Sequence, residues 1–186
     1  MYLLRSCLGV FAVLGTWPNW EQYFDLSRKG LKLSFGVLVL SLAPLWLIAI
    51  VVQAERARIL ETELSTPNVL AFVLTVGLWL FSFPAMAYLI AMIFETLDRL
   101  RPWLITRNWA FFSLACVVGT AFGLVGLGVF PIKAAYGIAF AAYFGLLGID
   151  IRLMQKVAGF NWIPAILLAC LIVAVGLTFV LLSINN

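Results

Sequence analysis

Polar residues break this chain at only a few places, and the apolar stretches between them are too long for an ordinary soluble core. Five stretches stand out, at about 34–53, 69–94, 109–130, 132–149 and 163–184. Roughly twenty apolar residues are enough for a helix to cross the hydrocarbon layer of a membrane. The pattern predicts an all-α fold, a polytopic transmembrane bundle of five spans forming one integral membrane domain over 1–186. Residues 1–30 read as an apolar helix and a linker. On a helical wheel Leu3, Cys7, Val10, Leu14 and Trp17 share a face, widened by Leu4, Leu8 and Phe11. Arg5, Gly9, Ala12 and Thr16 form the thin opposite face. That division predicts an interfacial amphipathic helix lying on the membrane. A signal peptide and a sixth span are the competing readings. No small-x-small cleavage site follows for the first, and the run is short for the second.

The third and fourth spans are joined by the short turn Phe130-Pro131-Ile132-Lys133, so they must be antiparallel neighbours. Ala115, Gly119 and Gly123 fall four residues apart on one stripe, and Gly137, Ala141 and Gly145 on another. Lipid gives little hydrophobic drive for helix association, and close backbone approach at small residues does more of that work. The two stripes are therefore expected to face each other at the centre of the bundle. Pro44 and Pro84 lie inside the first two spans, where proline removes a backbone donor and kinks the helix. Paired interrupted helices can mark a transport site. Both breaks lack polar residues beyond Ser41 and Ser82, so kinks that serve packing are expected. Ser65 or Thr66, before Pro67, offers a helix start ahead of the second span.

Composition agrees with the pattern. The chain is 65% hydrophobic and 11% charged, with a mean hydropathy of +1.11. A soluble domain sits nearer half apolar and a quarter charged. The net charge of +4 comes from bases at the ends of apolar runs, which read as anchors and orientation signals rather than as a nucleic-acid surface. With five spans, nine bases share the side of the N-terminus: Arg5, Arg28, Lys29, Lys32, Arg99, Arg101, Arg107, Arg152 and Lys156. Arg56, Arg58 and Lys133 fall on the other side. The positive-inside rule then places the N-terminus in the cytoplasm and the C-terminus outside. Arg28, Lys29, Lys32, Arg99, Arg101, Arg107, Arg152 and Lys156 are the candidate contacts for lipid headgroups or a protein partner. The stretch 95–108 reads as the most charged loop. Asp150 reads as an interfacial acid just beyond the fourth span.

Candidate chemistry is sparse. The chain has no histidine, so the commonest general base and zinc ligand are missing. Cys7, Cys116 and Cys170 are far apart, with no metal-ligand or redox spacing, and read as small buried hydrophobes. No catalytic, cofactor-binding or metal-ligating residue is expected. The polar candidates within spans are Thr75, Ser82, Ser113, Thr120 and Thr178, none of them ionisable at neutral pH. A channel or permease would need polar groups at mid-depth, and an intramembrane hydrolase an activated nucleophile. Convergence of Glu95, Asp98 and Asp150 in one cleft would favour a transporter or an enzyme. Their dispersal would favour a scaffold.

The stretch Tyr23-Phe24-Asp25-Leu26-Ser27-Arg28-Lys29-Gly30-Leu31-Lys32-Leu33-Ser34-Phe35 leads into the proline-containing first span at Pro44. With five closely packed spans after an amphipathic N-terminal part, this plan resembles the Yip1-like superfamily and small five-span bacterial inner-membrane proteins. The resemblance implies a scaffolding or trafficking-like role without catalysis and transfers no functional residue. The expected function is a non-enzymatic bundle that binds lipid or a membrane partner. The alternative is a small permease or channel, as a homo-oligomer.

Overall fold

The computed structural model describes residues 2–15, 17–63 and 66–184, with side chains for all of these except 2, 3, 177 and 179–184. Within these residues all regular structure is helical. Helix α1 spans Tyr2–Leu14, a single 3₁₀ turn spans Trp20–Tyr23, and α2 (Arg28–Leu40) runs into α3 (Leu42–Leu60). Then come α4 (Val69–Ile93), α5 (Leu97–Gly126), α6 (Ile132–Lys156) and α7 (Trp162–Ile184). Four helices are long and apolar enough to cross a membrane: Arg28–Leu60, Val69–Ile93, Leu97–Gly126 and Ile132–Lys156. Over its described side chains, α7 adds the apolar stretch Trp162–Gly176. Large apolar side chains such as Leu74, Leu78, Phe81, Val117, Phe140 and Leu167 face outward, while Ser34, Ser41, Thr106, Asn108 and Asp150 are buried. That inversion suits a lipid surround.

The helix starts follow local chemistry. The Ser27 hydroxyl accepts from the backbone N–H groups of Lys29 and Gly30, capping α2. Gly30 packs on the Asp25 carbonyl with no room for a side chain. The Asp25 carboxylate accepts the Ser27 N–H, and the Ser27 hydrogen bonds hold its pKa below the usual carboxylate value. Helix α4 starts at Val69, where the apolar pattern placed the second span. Asn68 is its cap and accepts from Ala71 N–H at 3.1 Å; Thr66 precedes it, and Ser65 lies outside the described residues. At Pro44 the missing N–H leaves the chain to bend at Ser41, between α2 and α3, where the buried Ser41 hydroxyl donates to the Val37 carbonyl.

Two helices run past their expected ends. The stretch 97–108 was expected to be part of a charged loop, yet it forms the first three turns of α5, and every residue from Trp103 to Phe111 is buried. Packing against the neighbouring helices stabilises these turns where local composition did not mark them as buried. Helix α6 likewise continues past 149 to Lys156.

Helices α5 and α6 do form an antiparallel pair across the connection 127–131. The expected facing of their small stripes is overturned. Gly137, Ala141 and Gly145 are exposed, with open space beyond Gly137 and Gly145. The stripe on α5 packs instead on the kinked first span: a Cβ on Gly119 would lie 2.6 Å from Pro44 Cβ, and one on Gly123 3.3 Å from Leu47. Pro44 faces α5, and Gly119 is the recess that receives it. The α5–α6 contact is made by larger groups, with Phe122 edge-on to Tyr136 at 5.5 Å and Ala121 and Ala135 beside them.

Helix α1 packs on the bundle mainly through its small residues. Ser6, Gly9, Val10, Ala12 and Val13 are buried, while Leu4, Leu8, Phe11, Leu14 and Trp17 are exposed. The side chain of Leu3 and all of Thr16 lie outside the described residues. Gly9 lets Tyr23 and Phe24 close on the helix, since a Cβ there would come within 2.7 Å of both. Arg5 donates to the Gln22 carbonyl. Cys7 meets the Ser113 hydroxyl on α5, and the Gly15 carbonyl accepts from Lys156 Nζ at the end of α6. Helix α1 thus lies lengthwise against α5 and α6, small face inward. Thirteen residues make about 20 Å of helix, short of a full crossing.

This packing predicts opposite outcomes for two glycines on adjacent helices. Gly119→Val should destabilise the protein by about 1–3 kcal/mol through overpacking against Pro44. Gly145→Val should leave stability nearly unchanged. Thermal unfolding in detergent checks both, and an equal loss at the two positions would restore the facing-stripe arrangement.

Candidate functional site: a buried ion pair beside a crevice

The extension of α5 and α6 past their expected ends moves two charges from the rim into the bundle. Arg107 lies 19 residues before the end of α5 at Gly126, and Asp150 lies 18 residues after the start of α6 at Ile132. Antiparallel helices bring such positions to the same level. Arg107 Nε donates to Asp150 Oδ1 at 3.0 Å, and Nη2 approaches Oδ2 at 3.5 Å. The carboxylate is fully buried and the arginine is 7% exposed. Arg107 was expected as a headgroup or partner contact and Asp150 as an interfacial acid; instead both side chains are buried against each other between the helices. The bundle thus buries two charged groups that the sequence reading placed outside the spans.

The pair's surroundings explain how two charges can be held there. The guanidinium lies 4.4 Å from the centre of the Phe83 ring on α4 and 5.3 Å from that of Phe111. Cation–π attraction strengthens as water is excluded. Next to Arg107, the buried Asn108 amide donates to the Ser34 hydroxyl at 3.2 Å, tying α5 to α2. Thr106 donates to the Pro102 carbonyl. Three successive polar residues of α5 are therefore buried, each engaging a different partner.

Arg107 borders a crevice of about 230 Å³ enclosed by α4, α5, α6 and α7. Ser82, Phe83, Tyr143 and Ile172 also line it. The Ser82 hydroxyl donates to the Trp79 carbonyl at 2.7 Å. The Tyr143 hydroxyl is buried with no hydrogen-bond partner among the described residues. A second, almost wholly apolar crevice of about 140 Å³ adjoins the first and is lined by Leu45, Ile48, Leu114, Val118 and Ala139. The two share Trp79, Phe111, Tyr143 and Leu146 as walls.

The other basic candidates do not converge. Arg28, Lys29, Lys32 and Arg101 are exposed. Arg99 is half-exposed, lies 3.9 Å from Asp98, and reaches the left-handed Gly159 in the α6–α7 connection. Arg152 stacks over Trp162 at 5.3 Å, and Lys156 caps α1. Glu95 and Asp98 are exposed and apart from the buried Asp150, so the three acids form no cleft. Ser113, Thr120 and Thr178 each donate to a carbonyl of their own helix. No group of three or more metal-ligating side chains occurs among the described residues.

The fold and site define an all-helical protein of membrane type, with a buried arginine–aspartate pair beside a crevice between four helices. No family model, curated protein or solved structure matches the chain.

The ion pair predicts a clear double-mutant cycle. Arg107→Met or Asp150→Leu alone should destabilise the protein by about 3–5 kcal/mol, because each leaves a buried charge without its partner. The double variant should recover most of that loss. Denaturation in mixed micelles measures the cycle, and additive losses would show that the two side chains do not act as a pair.

Proposed function

We propose that this chain is a non-enzymatic integral membrane protein that binds a lipid or a membrane partner through its helical bundle. The observation that carries the reading is the crevice enclosed by α4, α5, α6 and α7, bordered by the buried Arg107 and by Tyr143, whose hydroxyl has no partner among the described residues. Intramembrane charges are expensive and usually serve function. An apolar pocket with a few converging polar groups is the usual form of a small-ligand site. A non-catalytic role rests on the sequence, which has no histidine to activate a nucleophile. The Yip1-like resemblance of the stretch 23–35 supports the same scaffold role.

In this proposal α7 is the fifth span, and the protein resides in a bacterial inner membrane with its N-terminus in the cytoplasm. With Arg107 withdrawn into the bundle, eight rim bases still face three on the other side. The orientation predicts that a cysteine at Lys133 reacts with an impermeant maleimide added to intact cells, in a background lacking Cys7, Cys116 and Cys170. A cysteine at Arg101 should react only after permeabilisation. The reverse pattern would invert the topology.

Native mass spectrometry after extraction in mild detergent tests the binding role. A retained lipid or stoichiometric protein partner is expected. A bare symmetric homo-oligomer would instead favour the permease reading. That second reading draws on the ion pair itself, since a carboxylate and a guanidinium inside the bundle supply the polar group a transport path needs. Flux through liposomes that is lost in Asp150→Asn would support it.

A further inference from the structure

The two adjoining crevices differ in character, and their order along the bundle gives the site a head and a tail. Arg107 borders only the first crevice; Leu114, Val118 and Ala139 border only the second. From Arg107 to Val118 the path follows α5 for eleven residues, about 16 Å of helix. Together the two volumes reach the lower range of small-ligand sites, about 300–1,000 Å³.

The polar end selects by hydrogen-bond chemistry. Asp150 takes the side edge of the guanidinium, through Nε and Nη2. The end-on edge keeps the two N–H groups of Nη1 and one of Nη2, a fork that matches an oxyanion. The Tyr143 hydroxyl needs an acceptor or donor partner and finds none in the described protein. Ser82 has already given its proton to the Trp79 carbonyl. Arg107 thus has donors only, and its complement is an acceptor-rich head.

We propose that the joined crevices bind a single-chain lipid, its carboxylate or phosphate head between Arg107 and Tyr143 and its acyl chain between Trp79, Phe111 and Leu114. The assignment rests on the lipid-binding reading above and narrows it to one ligand class. Asp150 serves as a positioning residue, holding the side edge of the guanidinium so that the other edge meets the head. The exposed small residues on the far face of α6 play no part.

Equilibrium binding to the full-length protein in nanodiscs tests this, with radiolabelled palmitate and a lysophosphatidate as oxyanion lipids, monoacylglycerol as the neutral lipid, and acetate and phosphate as headgroups without a chain. Saturable binding of at least one oxyanion lipid is expected, about tenfold or more above monoacylglycerol, with no competition from millimolar acetate or phosphate. Palmitate and lysophosphatidate tell a carboxylate head from a phosphate head. Tyr143→Phe, which removes only the unpartnered hydroxyl, should weaken binding about tenfold with an unchanged melting temperature. Ala142→Phe, on the wall of the apolar crevice, should weaken long chains more than octanoate. Gly137→Ala, on the exposed face, is the control. Equal binding by Tyr143→Phe, Ala142→Phe and the control overturns the site. Equal binding of monoacylglycerol overturns the oxyanion head while leaving the lipid-binding role intact. Competition by free acetate or phosphate overturns the chain site. Absence of binding by every lipid, together with no lipid retained on extraction, overturns both readings.

Discussion

A guanidinium and a carboxylate taken out of water must meet, and most of this bundle follows from that requirement. The Arg107–Asp150 contact forms only if α5 and α6 are antiparallel, in one register, and helical well past the ends that hydropathy marks. Desolvating two ions costs several kcal/mol each, and their attraction repays it only with good geometry. Phe83 and Phe111 cover the guanidinium and shield it from solvent. The same aromatic rings then wall the crevices. Structure and site are one arrangement, since the residues that pay for the charge also shape the space beside it.

Small residues are used where a bulky neighbour must come close. Gly119 admits Pro44 at the kink of the first span, and Gly9 admits Tyr23 and Phe24 onto α1. In both cases the partner is a ring-bearing side chain rather than another small residue. Gly137 and Gly145 meet nothing and lie on the exposed face of α6. A glycine stripe therefore gives an opportunity for close packing; the shape of the neighbouring helix decides whether it is taken. The same reasoning covers α1, whose small residues turn inward while its bulky side chains suit an apolar surround.

The charges divide into two populations with different work. Those at the end of the bundle cap, stack or face solvent: Lys156 on the Gly15 carbonyl, Arg152 over Trp162, Arg99 at the Gly159 turn. An exposed ion pair such as Arg99 with Asp98 contributes little to stability. Arg107 and Asp150 stand apart by burial and by the crevice they border. Tyr143, whose hydroxyl has no partner among the described residues, lines that crevice beside the guanidinium.

The sequence alone determined the class: long apolar runs between sparse charges dictate membrane-length helices, and the short turn read at 130–133, which the structure places at 127–131, dictates an antiparallel hairpin. It also contained a signal for the ion pair, opposite charges nearly equidistant from that turn. Reading it required treating 97–108 and 150–156 as helix, which local composition argues against, because charges and Pro102 look like a loop. Tertiary packing overrides that preference: once Trp103, Trp109 and Ile105 are buried, the turns that carry them stay helical. Only the tertiary structure decided which face of α1 turns inward, that Gly119 packs on Pro44, and that Tyr143 shares a crevice with Arg107. Helical periodicity sorts residues into faces but carries no information about which helix a face will meet; that is set by the shapes and charges of all the helices together.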